Sequence, residues 1–287
     1  MNYSRFKKKL VEGIKDYLPE EFQDCTVEVE MVPKVNGFKE ALIISKPDCK
    51  DPTPTLYVDQ MFDHYRACNS MEKVLKFAAE YYIYGVNYAK AMAECMDVKG
   101  EDLGDDKIIM MLINRENNKK MLETMPHRDY MDLAIIYRVI MPLPDGSFNL
   151  ASITDDMAER MEKDEEELFR LAVVNTQKIL PPRRENVGEC VYVVTNEKRL
   201  IGAAVMLYDE QLKELADIAE SDLYIVPSSI HEVMTVPVYD ADPDHLSEII
   251  RDANKTILKE TDVLSNSVYY YDRSSGSIDI VREGMAG

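Results

Sequence analysis

Apolar residues recur at helical spacing from the start of the chain. Phe6, Leu10, Ile14 and Tyr17 fall on one face of residues 2 to 18, and Pro19 stops the pattern, which predicts an amphipathic helix. The period then changes to two. Val27, Val29 and Met31 alternate with Glu28 and Glu30, Asn36-Gly37 supplies residues that accept positive φ, and Ala41 to Ile44 returns as an apolar strand, so a hairpin is expected. Residues 53 to 58 (TPTLYV) are expected to add a third strand at an edge, where Pro52 and Pro54 are tolerated. From Ser70 as N-cap to Met96, a stripe of Met71, Val74, Leu75, Ala78, Tyr82, Gly85, Val86, Ala89, Met92 and Met96 predicts a long helix packed across that sheet. Gly85 would permit close approach of a neighbour.

The segment GEDLGDD (100 to 106) turns to glycine and acid and marks the expected boundary between a region 1–105 and a region 106–287. Beyond it, Ile108 to Ile113 reads as a buried strand and 116 to 124 as a short helix. Residues 131 to 141 and 147 to 153 read as a hairpin turned at Asp145-Gly146. Helices are expected over 154 to 162 and 164 to 178, ended by Pro181-Pro182. The last hundred residues alternate as strands 190–195 and 200–207, helix 209–219, strands 223–227 and 231–238, helix 243–258, and strands 267–272 and 277–281. Two successive ββα units predict an α+β fold. Its N-terminal helix, hairpin and long helix precede a mixed or antiparallel sheet with helices on one face.

Composition narrows the function classes. The 287 residues carry 53 Asp plus Glu against 34 Lys plus Arg, a net charge of −19. Repulsion from phosphate argues against direct binding to nucleic acid or an anionic membrane, while the same field can recruit a basic partner or mimic nucleic acid. No apolar stretch approaches the roughly 20 residues that span a bilayer. The basic start (Arg5, Lys7, Lys8, Lys9) is followed by Glu12 and Asp16 in place of a signal-peptide apolar region, so a cytoplasmic location is expected. Five cysteines, Cys25, Cys49, Cys68, Cys95 and Cys190, form no C-x-x-C pair and read as reduced small hydrophobes.

Four histidines, His64, His127, His231 and His245, are the natural place to look for catalysis. The segment Pro227-Ser228-Ser229-Ile230-His231-Glu232-Val233 puts two hydroxyls, an imidazole and a carboxylate within five positions, which admits a hydrolase using Ser228 or Ser229 with His231, Glu232 or a carboxylate from elsewhere, and His127 as a second imidazole. Regular strand geometry would turn His231 and Glu232 to opposite faces, and no G-x-S-x-G elbow accompanies them. The structural alternative is a Pro-Ser turn whose hydroxyls satisfy backbone groups.

Other motifs fail on their own chemistry. His127-Arg128-Asp129 looks like a kinase catalytic loop, but Ala134 stands where the Asn is required and there is no D-F-G or Gly-rich loop; Arg128 is expected to pair with a carboxylate at a helix end or turn. Asp240, Asp242 and Asp244 alternate like a calcium loop, yet His245 and Arg251 occupy the Gly and Glu positions. Asp242-Pro243 is expected instead to cap the following helix. No nucleotide or zinc signature occurs, so no cofactor and no metal is expected. Tyr269-Tyr270-Tyr271-Asp272-Arg273 is the densest aromatic run, with at least one side expected in the core and an interaction surface as its functional alternative.

Asp222 to Val236 (DLYIVPSSIHEVMTV), Asp262 to Asp272 (DVLSNSVYYYD), Tyr17-Leu18-Pro19, Pro126 to Ala134 (PHRDYMDLA), and the stretch from Glu167-Leu168 through Asn175-Thr176 together resemble a domain-of-unknown-function family from anaerobic Gram-positive bacteria over essentially the whole chain. The resemblance implies a bacterial cytoplasmic protein with no assigned activity or cofactor and no catalytic residues to carry over, of the accessory type often found as mobile-element cargo. It also implies Asp in many relatives where this chain has Asn266. The sequence therefore favours a non-catalytic accessory protein acting on a protein partner, with hydrolysis at Ser228/Ser229 and His231 as the alternative. Oligomeric state has no signature here.

Overall fold

Asn2 opens α1 (Tyr3–Gly13) by accepting the Arg5 amide on its side chain. The computed structural model describes residues 1–46, 54–97, 104–142 and 148–281, without the side chains of 88, 89, 91–97, 142, 209 and 228. The chain forms two compact units, residues 1–34 with 38–103, and residues 35–37 with 104–287.

In the first unit α1 gives way to a tighter 3₁₀ turn, Ile14–Tyr17, before Pro19. Its stripe Phe6, Leu10 and Ile14 is fully buried against Leu42 and Ile44 of β2 and Val74, Ala78 and Tyr82 of α3. The three-stranded sheet has the order β1 (Thr26–Lys34), β2 (Gly37–Ser45), β3 (Leu56–Tyr57). The expected edge strand is shorter than its sequence suggests: only Leu56 and Tyr57 pair with β2, and Val58 already begins α2 (Val58–Cys68). That helix was not among the expected elements, although Val58, Met61, Phe62 and Tyr65 stand at i, i+3, i+4 and i+7; Asn69 ends it in a left-handed conformation with φ +49°. Ser70 caps α3 (Met71–Asp97) through the Lys73 amide. Gly85 is required as such, since a Cβ there would stand 2.5 Å from Pro54 Cγ.

The second unit contains two antiparallel sheets. In the four-stranded one, β6 (Leu133–Pro142) is central. β4 (Ile108–Asn114) lies along one side, and β5 (His127–Tyr130) and β7 (Phe148–Ser152) share the other. The Asp145-Gly146 turn expected between β6 and β7 lies outside the described residues, as do 100–103 of the expected boundary. β4 is buried over six consecutive residues, as a strand packed on both faces must be, and α6 (Glu165–Ile179) reaches it through Thr176 Oγ1, which accepts the Met110 amide. Short helices α4 (Lys119–Leu122) and α5 (Asp155–Arg160) follow β4 and β7 in the chain.

The six-stranded sheet runs β13-β12-β10-β11-β9-β8, with β8 (Pro182–Gly188), β9 (Val191–Asn196), β10 (Leu223–Ser229), β11 (Glu232–Pro237), β12 (Tyr269–Tyr271) and β13 (Ile278–Ile280). The expected strand 200–207 is absent. Residues Gly202–Leu207 form a buried 3₁₀ turn leading into α7 (Asp209–Ala219), so the first supposed ββα unit is the hairpin β8–β9 followed by a turn and a helix. Both faces of this sheet carry helices. α8 (Pro243–Thr256) packs Ile250 on the face of Tyr224, Val226 and Val236. α7 lies on the other, since Arg184, directly opposite Val194, pairs with Glu214. Among the described residues no helix is long and apolar enough to cross a membrane.

Candidate functional site

The Ile230-His231 turn joins β10 to β11 across the pair Ser229–Glu232, and every backbone polar group of its two residues is engaged. Ile230 N donates to Asp262 O (2.8 Å), and Ile230 O accepts Ala203 N (3.2 Å). His231 N donates to Ser229 Oγ (3.0 Å), and His231 O accepts Thr195 Oγ1 (2.7 Å). Buried backbone needs such partners, and here Ser229 and Thr195 supply them. Gly202 lets the next segment lie this close. A Cβ on it would sit 2.3 Å from Thr195 Oγ1 and 2.4 Å from His231 O.

The imidazole is part of the same lattice. Ile201 N donates to His231 Nδ1 at 3.1 Å, and Ile201 has φ +50°, a conformation that β-branched residues rarely adopt. An N–H donor fixes Nδ1 as the acceptor, so in the neutral ring the proton is on Nε2, which faces Asp262 Oδ1 at 3.8 Å. The side chain is 31% exposed. A serine protease-like relay needs the unprotonated nitrogen to face a hydroxyl, and here it faces an amide.

The remaining candidates are dispersed. Ser229 is buried and bonded to the His231 amide, with no hydrogen bond to the ring. Glu232 opens β11, and Ser228 lies on β10 with its side chain undescribed. His127 is on β5, and its Nδ1–H donates to Met125 O at 2.9 Å. Among the described residues it shares no hydrogen bond or ion pair with the 227–233 segment. Arg128 does pair with a carboxylate, from a strand and not from a helix end. Its Nε and Nη2 grip Glu165 at 3.0 and 2.8 Å, Nη2 reaches Glu166, and its guanidinium stacks 3.8 Å over Phe169. Tyr137 donates to the same Glu165. Asp242 accepts the Asp244 amide as N-cap of α8, with Pro243 in its first turn. No group of three or more His, Cys, Asp or Glu able to hold a metal occurs among the described residues.

The tyrosine run separates into three roles. Tyr269 and Tyr271 are buried, while Tyr270 on the opposite face donates to Asp222 Oδ2 at 2.6 Å. Asp222 Oδ1 accepts the Arg273 amide (2.8 Å), and Arg273 Nε reaches Asp217 at 2.8 Å. Asp272 holds the following turn by accepting the amides of Ser274 and Ser275, each at 2.8 Å. These bonds shape one wall of an open groove of about 680 Å³ lined by Asp217, Glu220, Asp222, Val238, Tyr239 and Arg273. Tyr239 is 66% exposed. Local desolvation first, then the neighbouring Cys190 sulfur, Asp240 and Glu189, push its phenol upward. Tyr239 escaped the sequence reading because it stands alone, outside any aromatic run.

The profile of a family of unknown function, DUF5688, matches residues 3–191 and 182–273. The chain belongs to this family. No curated protein and no solved structure matches it. Within this DUF5688 chain three of the segments that carried the resemblance, all in the second unit, meet in space. Asp132 of PHRDYMDLA accepts Ser265 Oγ (2.5 Å), Ser267 Oγ (3.1 Å) and Tyr269 OH (2.6 Å) of DVLSNSVYYYD, and Asp262 of the latter supports the PSSIHEV turn.

Proposed function

We propose that this protein is a non-catalytic cytoplasmic accessory protein that binds a protein partner, and that the partner docks a basic segment in the Tyr239–Arg273 groove. The observation that carries this is the exposure of Tyr239 in a concave, acid-rimmed surface whose wall is held by Asp222 and Asp272. Tyrosine and arginine are the residue types that dominate binding energy at protein interfaces, and a wall already ordered loses little entropy on docking. The net charge of −19 favours a basic partner and disfavours phosphate. The test is affinity capture from native lysate with the wild-type chain and with Tyr239→Ala as baits. A partner retained by the first and lost by the second is expected, and DNA added to the lysate should not displace it. Identical captures would remove the groove from the account.

A hydrolase using Ser228 or Ser229 with His231 is the second reading, favoured by Asp262 Oδ1 lying 3.8 Å behind Nε2. It requires a serine hydroxyl at Nδ1, where the Ile201 amide is bound.

A further inference from the structure

The first unit holds a cavity with different chemistry from the groove. α3 carries two apolar stripes. Val74, Leu75, Ala78 and Tyr82 fill the core, whereas Phe77 and Tyr81, at i and i+4, face α2. Phe77 is 40% exposed and therefore does little for the core. Opposite it, Gln60, His64 and Ala67 fall on one face of α2, and with Thr55 and Tyr57 they line a half-open cavity of about 400 Å³. That volume is in the range of small-molecule sites, about 300–1,000 Å³. His64 stacks on Phe77 with ring centroids 4.7 Å apart and planes at 23°, so two lining rings are already held nearly parallel.

The lining selects its ligand. Four aromatic rings, from Tyr57, His64, Phe77 and Tyr81, present π faces or edges to a flat guest. No Lys or Arg is among the lining residues, which disfavours phosphate- or carboxylate-bearing guests, and the charged lining side chain is the carboxylate of Asp63. Asp63 is 75% exposed and its contact with Arg66, at 3.8 Å, is a solvated pair that a ligand displaces at small cost. Two ammoniums near one of its rings, Lys34 Nζ at 4.1 Å and Lys39 Nζ at 5.9 Å from the Tyr57 centroid, are not among the lining residues, and Lys39 is paired with Asp59. We infer that the cavity between α2 and α3 binds an aromatic amine, its flat ring against His64, Phe77 and Tyr81 and its ammonium toward Asp63.

The test uses three probes of one shape and different charge, tryptamine, indole and indole-3-acetate, titrated into the full chain. The readout is the methyl resonance of Met61, which is buried and lines the cavity. Tryptamine should shift that resonance at the lowest concentration and indole-3-acetate at the highest. Asp63→Asn should weaken tryptamine about fivefold, to the level of indole, and leave indole unchanged. Phe77→Ala should weaken tryptamine and indole about tenfold. Ala67→Phe fills the mouth from an exposed position, and it should abolish binding with the melting temperature unchanged. No movement of the Met61 resonance with any probe, or equal affinity for the three, overturns the inference. The groove of the second unit contributes nothing to this readout, so the two proposals fail separately.

Discussion

Tyr269 donates its phenolic hydrogen to Asp132, 137 positions earlier in the chain, at 2.6 Å. The same carboxylate takes the hydroxyls of Ser265 and Ser267, and both Tyr269 and Ser265 are buried. Removing the acceptor leaves buried donors without partners, which costs more than the bonds themselves contribute. Asp132→Ala is therefore expected to destabilise the fold by about 3 kcal/mol, measured by urea unfolding. Tyr269→Phe removes one donor and should cost about 1 kcal/mol. In the double variant the two losses should fall short of additive by at least about 0.5 kcal/mol, and strict additivity would show that the residues do not act as a pair.

Gly202→Ala tests the packing of the turn. Its Cβ meets a backbone oxygen, His231 O at 2.4 Å, which cannot swing away like a side-chain tip. A loss of about 2–3 kcal/mol is expected from the displaced backbone. Retention of wild-type stability would mean that the segment 201–203 does not press on His231.

Alkaline pH should destabilise the second unit. The hydrogen bond to the Asp222 carboxylate, followed by desolvation, pushes the Tyr270 phenol up to about 12. A group whose folded value is raised contributes its full stabilisation below its unfolded value, near 10, and loses it as pH climbs through the folded one. Burial moves Tyr137, Tyr208 and Tyr269 in the same direction. Stability should thus be level with respect to these phenols up to about pH 10 and fall above it, the part due to Tyr270 being lost by about pH 12. Tyr270→Phe should make that fall shallower. An unchanged slope would contradict the Tyr270–Asp222 bond.

The periodic elements were legible in the chain because burial follows period. Phe6, Leu10 and Ile14 appear in the core where their spacing places them, and the hairpin β1–β2 turns at Asn36 with φ +62°. The run IGAAVML was not legible. It is buried from Ile201 to Met206, so it has no period, and an apolar run of that length suits a strand or a buried turn equally. What decides is the left-handed Ile201 and the glycine pressed on His231, both long-range facts. β5 was hidden for the opposite reason: HRDY is polar, and it pairs as a strand because Arg128 finds Glu165 on a helix 37 positions away. The candidate residues around Ser229 and His231 were visible as a cluster, but the sequence shows neither the Thr195 hydroxyl nor the Ile201 amide that engage them.

Whether this protein binds or hydrolyses turns on what His231 does with its two nitrogens. Long-range ¹H–¹⁵N correlation spectra of the imidazoles, recorded at about pH 8.5 where an ordinary histidine is neutral, report the tautomer directly. The structure predicts the proton on Nε2, with Nδ1 accepting the Ile201 amide and His231→Asn, whose Oδ1 can take that amide, holding the turn better than His231→Ala. A proton on Nδ1 would break the Ile201 bond and contradict the structural role of His231, while a His231→Asn variant no more stable than His231→Ala would show Nδ1 open to a serine hydroxyl and put the hydrolase first.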